Sequence, residues 1–164
     1  MKRIFEFAVN TNRSVYFNLG AKAWITRYFN ELMEVLPMVE GVIGNAEEAI
    51  ELGRLIGGAT TIEESISTIF KHKGRKKFVT VTNASEPIIV GSLKSNGDLR
   101  INKVETPDVP KELIKNVNGA GDTLAGSMIG GLIVGLDLIK AIELGQRFVS
   151  YYIQQSDGQY PDKF

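Results

Sequence analysis

The sequence predicts an α/β fold built on a mainly parallel sheet, with a β-hairpin late in the chain. Two observations carry that reading. Strand-like and helix-like segments alternate through the first half, and three runs rich in β-branched residues follow in close order: Phe78 to Thr82, Pro87 to Leu93 and Leu99 to Val104. At 164 residues, 43% of them hydrophobic, the chain is long enough to build one core, so residues 1–164 are read as a single domain.

The elements follow in order. Ile4 to Val9 suits a helix edge or a strand, and Ser14 to Leu19 (SVYFNL) a short buried strand after the turn-forming Asn10 to Arg13. From Trp24 onward, Ile25, Tyr28, Phe29, Leu32, Met33 and Leu36 recur at steps of three and four, which predicts one helix with one apolar face, ended or kinked by Pro37. Gly41 to Gly44 is strand-like and feeds a helix capped by Asn45, with Glu47 and Glu48 in the first turn. That helix stops at Gly57 and Gly58, and the next starts on Thr60 or Thr61 with Glu63 or Glu64 in a capping-box position. It ends near the basic run His72 to Lys77, which suits a charged helix end and turn better than a contact for nucleotide phosphates, with His72 as solvated surface.

Asn96-Gly97-Asp98 turns the strand 87–93 back onto the strand 99–104, giving the hairpin. After Pro107 and Pro110 come two helices, roughly 120–135 and 137–155. The apolar run Leu124 to Leu136 is thirteen residues long, too short to span a bilayer, and its glycines predict a helix buried on most sides. Tyr151 and Tyr152 read as helix packing.

Composition narrows the function. Nineteen basic residues balance nineteen acidic ones, so no protein-wide positive field exists to hold nucleic acid or an anionic membrane, and any phosphate binding is local. The chain has no cysteine, which excludes disulfides, thiolate metal sites and a Cys nucleophile. No secretory h-region stands near the N-terminus, so a cytoplasmic location is expected. His72 is the sole histidine, which leaves no histidine-rich metal set.

Chemistry concentrates at Gly119-Ala120-Gly121-Asp122, where a loop becomes a helix. The first amides of a helix lack partners within it, and small residues let an anion approach them. Asp122, one turn in, is placed to accept a proton from a hydroxyl that takes up a phosphoryl group. The same tetrapeptide also suits a tight turn with an acid favoured by the helix dipole. It matches neither the Walker nor the dinucleotide fingerprint.

Around it, N-G-A-G-D-T-L-A-G-S resembles the signature of the ribokinase-like sugar and nucleoside kinases. Phe17-Asn18-Leu19, Leu36-Pro37, the run Gly44-Asn45-Ala46-Glu47-Glu48-Ala49 and the tail Tyr160-Pro161-Asp162-Lys163-Phe164 resemble, in the same order, elements of the adenosine kinase family. The resemblance implies a ribokinase-like three-layer fold, represented by its C-terminal half. It implies transfer of the ATP γ-phosphate to the 5′-hydroxyl of adenosine, with Mg²⁺, in purine salvage. Asp122 would be the base and Gly119, Ala120 and Gly121 the anion hole. Asn45 and Glu48 would help place Mg²⁺ and phosphates, Glu48 through water, and Thr82 would lie at the turn over ATP. An Asn and a Glu three residues apart also share one helical face, where an N-cap and a dipole-favoured acid are the local alternative.

The sequence departs from the family pattern at Asn116, where an Asp is expected, at Ala84, where the turn has Gly, and at Gly20 to Trp24. Without the family's N-terminal half most of the nucleoside pocket is missing, and an exposed sheet edge is expected to favour self-association or a complementing half. The alternative functions are a non-catalytic ATP-binding remnant, one half of a split enzyme, or a sugar kinase of the same superfamily.

Overall fold

A computed structural model describes residues 2–72 and 74–156; the tail 160–164 that carries part of the resemblance lies outside them. The chain divides into two compact units, 1–103 and 104–164.

The first unit holds a five-stranded sheet in sequence order: β1 (Tyr16–Asn18), β2 (Gly41–Asn45), β3 (Phe78–Asn83), β4 (Glu86–Leu93) and β5 (Leu99–Val104). β1, β2 and β3 run parallel, and β3 turns back into antiparallel β4. Only residues 94–98 separate β4 from its neighbour β5. That is too little chain for a parallel crossover, so the expected hairpin forms and β5 again points with β1 to β3.

Alternation explains the sheet's burial. Val42, Val79, Val81 and Ile89 point to one face and join the main core with Leu52, Ile66 and Ile69. Those come from the helices α4 (Ala46–Gly57) and α5 (Ile62–Lys71). Ile43, Thr80 and Val90 point to the opposite face and are buried as well. Both helices start where the sequence places them, on complete capping boxes: Asn45 with Glu48, and Thr61 with Glu64.

Several expectations need correction. The segment 4–9, which suits helix or strand, lies in a helix, α1 (Lys2–Asn10), whereas the buried strand expected over 14–19 shortens to three edge residues, Tyr16 and Phe17 half-buried and Asn18 exposed. The single helix expected from Trp24 is two, α2 (Lys22–Arg27) and α3 (Phe29–Val35), broken at Tyr28, whose φ of −114° and ψ of 32° leave the helical region. The break ends the common apolar face. Ile25, Leu32 and Val35 are buried, whereas Trp24 is 59% exposed and stacks on Tyr28 with ring centroids 5.1 Å apart.

The basic run is not all solvated. Lys76 is buried, with Nζ 3.4 Å from the Leu36 carbonyl, and burial pulls its pKa down to about 8. His72 is half-buried, and burial with the nearby Lys76 charge lowers its pKa.

The β3 to β4 turn is made by Ala84 and Ser85, with Ala84 at φ 51°. An alanine held there carries strain of about 1–2 kcal/mol, which a glycine would not.

Two buried carboxylates bind segments together. Glu40 accepts from Arg75 Nη2 at 2.5 Å, Lys77 Nζ at 2.8 Å and Ser14 Oγ at 3.1 Å. Burial raises its pKa, but the hydrogen bonds from Lys77 and Ser14 and the charges of Lys77 and Arg75 together outweigh burial, so the carboxyl titrates low. Glu51 of α4 accepts from Arg54 and from Thr26 Oγ1 of α2, at 2.8 Å each.

The second unit holds α6 (Ala120–Ile133) and α7 (Leu138–Tyr152). Their close approach runs through Gly131 and Gly145: a Cβ on Gly145 would lie 2.9 Å from Leu124 Cδ1 and one on Gly131 3.2 Å from the Ala141 Cα. α6 is not buried on most sides. Leu124, Ala125 and Met128 are buried, but Gly126 and Gly130 are exposed and Ile133 and Val134 are each 77% exposed. Among the described residues no helix is long and apolar enough to cross a membrane.

Glu51 supplies a prediction. The hydrogen bonds from Arg54 and Thr26 hold its pKa near 2, against an ordinary 4.5. Between those values the unfolded chain binds more protons, so this carboxylate's contribution is complete above about pH 4.5 and is lost as pH falls toward 2. Glu51→Gln is therefore expected to flatten the fall in urea midpoint across that window, and an unchanged slope would contradict the assignment.

Candidate functional site

Two groups of the expected site residues can be described, one in each unit. In the first, the register pairs Asn45 with Thr82, so two of them lie side by side at the carboxyl ends of parallel strands β2 and β3. Ligands of open α/β sheets bind at this end. Thr82 also sits in the register shift between Val81 and Asn83, an irregularity of the kind that re-aims a side chain.

Glu48 is buried directly behind Asn45. Asn45 Nδ2 donates to Glu48 Oε1 at 2.9 Å, the Asn45 amide to Oε2 at 3.0 Å, and the Glu48 amide back to Asn45 Oδ1 at 2.9 Å. The capping geometry that the residue types suggest is therefore fully formed. It does not use up the carboxylate, because each oxygen has a second acceptor position beyond its one bond to Asn45.

In the second unit, α6 begins on Gly119 at φ 82°, with no side chain to cap it. The first helical bond runs from the Thr123 amide to the Gly119 carbonyl at 2.8 Å, and the Ala120 amide is taken by the Val117 carbonyl at 3.2 Å. The amides of Gly119 and Gly121 have no acceptor among the described residues. Gly119 and Gly121 are exposed, and a Cβ at Gly121 would meet nothing within 4 Å. Asp122 follows, exposed, in the first turn. Unpaired amides at the positive end of a fourteen-residue helix favour an anion, and a carboxylate one residue on can take a proton from a group brought to it.

The loop before α6 is tied to the end of α7. The amides of Lys115 and Asn116 both donate to the Ile153 carbonyl, at 2.8 and 3.2 Å. Asn116 Oδ1 accepts from the Asn118 amide at 2.9 Å, so this departure from the family pattern keeps a turn-forming hydrogen bond. Tyr152 does more than pack, because its hydroxyl donates to the Asn118 carbonyl at 2.9 Å. Nothing in the sequence marked it, since the two residues are thirty-four positions apart and no local pattern links them.

A family model described as pfkB family carbohydrate kinase matches residues 2–163. Adenosine kinase 1 of Arabidopsis thaliana is 30% identical over 164 residues, which cover 96% of this chain and 46% of that protein. The adenosine kinase of Saccharomyces cerevisiae is 30% identical over 165 residues, covering 98% and 47%. The chain thus spans about half the length of the curated relatives it matches. Among solved structures, adenosine kinase of Anopheles gambiae in complex with P1,P4-di(adenosine-5) tetraphosphate superposes with a TM-score of 0.86 at 25% identity, over 94% of this chain and 46% of that one. Schistosoma mansoni adenosine kinase in complex with 2-fluoroadenosine gives 0.86 at 23% identity, over 98% and 48%. The ribokinase-like fold expected from the motifs is the fold of this chain.

The glycines of the loop have separable roles. Gly119 has a left-handed φ, and a Cβ there would lie 2.8 Å from Tyr152 Oη, whereas Gly121 has neither constraint. Gly119→Ala is expected to lower stability in urea by about 1–2 kcal/mol, and Gly121→Ala to leave it within about 0.5 kcal/mol. Equal losses would contradict this geometry.

Proposed function

The chain belongs to the pfkB family of carbohydrate kinases, and from that premise we propose that it works as an adenosine kinase-like phosphotransferase, moving the γ-phosphate of ATP to the 5′-hydroxyl of adenosine to give AMP and ADP. Such a reaction would belong to purine salvage in the cytoplasm. The observation that carries the reading is the start of α6, where an uncapped left-handed glycine leaves two amides open directly before Asp122.

In this mechanism the Gly119 and Gly121 amides hold the oxygens of the transferring phosphoryl group and stabilise the charge they carry. Ala120 contributes its small side chain, since its amide is already bound to Val117. The Asp122 carboxylate accepts the proton as the hydroxyl oxygen bonds to phosphorus, and the bond from phosphorus to the ADP oxygen breaks. Positioning carries most of such a transfer, so Asp122 serves by being aimed rather than by being strongly basic.

Mg²⁺, when bound, neutralises charge on the β- and γ-phosphates. Asn45 and Glu48 would hold its water shell, a role that fits hard oxygen donors with spare acceptor positions. One carboxylate beside one neutral amide side chain is a donor set that would suit contact with the ion through water. Thr82, beside Asn45 in the sheet, would contribute a hydroxyl to the nucleotide.

The likeness to adenosine kinases favours a nucleoside over a sugar as acceptor. The deciding experiment is formation of AMP from adenosine and ATP by the purified chain. Asp122→Asn is expected to reduce kcat at least about a hundredfold with little change in the KM for ATP. ATP binding without any AMP from the parent chain would replace this reading with that of a non-catalytic nucleotide-binding module, and phosphorylation of a sugar in place of adenosine would move it to another branch of the family.

A further inference from the structure

We propose that Tyr152 is a positioning residue for the phosphate loop, and that its hydroxyl sets the direction of the Gly119 amide. The inference rests on reading the start of α6 as the phosphate site. It begins with the peptide unit between Asn118 and Gly119. A trans peptide is planar and rigid, with its N–H pointing opposite to its C=O. Whatever holds the Asn118 carbonyl therefore orients the Gly119 N–H in the reverse direction, and the side chain that holds that carbonyl is Tyr152, whose hydroxyl donates to it at 2.9 Å.

A second observation agrees. The space that a Cβ on Gly119 would need is occupied by Tyr152 Oη at 2.8 Å and the tyrosine ring carbon that bears it at 3.5 Å, so the phenol lies against the α-carbon of the glycine. The tyrosine thus supports the turn on both sides of one peptide bond.

The loop has little else to hold it. Lys115, Val117, Asn118 and Gly119 are exposed, Val117 at 62%, so no apolar burial fixes the turn. Its other ties are the paired bonds to the Ile153 carbonyl, the Asn116 turn, and the 3.2 Å bond from the Ala120 amide to the Val117 carbonyl; the first two act upstream of the Asn118 carbonyl, and the third closes the turn without touching that carbonyl. A segment held by a few exposed hydrogen bonds opens easily, and removing one of them shifts its geometry more than it shifts global stability. Through Tyr152 and Ile153, the C-terminal end of α7 therefore acts as a brace for the N-terminal end of α6.

The test uses Tyr152→Phe in the full chain, with Tyr151→Phe as control. Hydrogen exchange of the Asn118 and Ala120 amides is followed without ligand, and affinities are measured for inorganic tripolyphosphate with Mg²⁺ and for adenosine. Losing one hydrogen bond is expected to speed exchange at both amides and weaken tripolyphosphate binding, each about fivefold. The urea midpoint and adenosine affinity should stay unchanged, a pattern that a purely structural role would not give. Unchanged exchange, or unchanged tripolyphosphate affinity, in Tyr152→Phe overturns the inference while leaving the phosphate site standing. A parent chain that binds neither tripolyphosphate nor ATP overturns the phosphate site itself.

Discussion

A helix must find partners for its first amides, and among the described residues the short α2 and α3 and the fourteen-residue α6 begin with no side chain to cap them. α4, α5 and α7 each open on a side chain that accepts from the third residue in: Asn45, Thr61 and Asp137. α6 opens on Gly119, which has no side chain to offer. An unmet cap on a long helix costs stability of about 1 kcal/mol, and such a cost persists where an outside group can take the open donors. The second unit is arranged around that opening: α7 packs closely along α6 through Gly145, and its last turn ties down the loop that leads into Gly119.

The carboxylates of the first unit show the opposite economy. Glu40 is compensated by two cations and a hydroxyl, and Glu51 by a guanidinium and a hydroxyl. Each is bound to segments far along the chain or on another helix, and each titrates low for that reason. Glu48 is as deeply buried, yet among the described residues its carboxylate accepts only from the neutral amides of Asn45. That contrast separates carboxylates that hold segments of the fold together from one whose remaining acceptor positions suit a hydrated cation.

Much of this was legible in the sequence, because the signals were local. The caps at Asn45 and Thr61 are spelled by residue type and a spacing of three, and the β4 to β5 turn by Asn96-Gly97. What escaped had no local signature. The break at Tyr28 falls where neither proline nor glycine stands, so periodicity alone carried the apolar face through it and placed Trp24 inside. The turn at Ala84 uses a residue that disfavours its own conformation. Lys76 is buried in a run whose composition reads as surface. Of the site, the glycines and Asp122 could be read because helix starts follow general rules. The Tyr152 hydroxyl could not, because its partner is fixed only by how α7 returns along α6.

In the proposed function the open amides of α6 receive phosphate. A titration of the ¹⁵N-labelled chain with Mg²⁺ and ATP, followed by amide chemical shifts, tests it most directly. The Gly119 and Gly121 resonances are expected to move downfield with the same saturation as binding, as donors do on meeting an anion. Saturable ATP binding that moves other amides and leaves these two in place would contradict it.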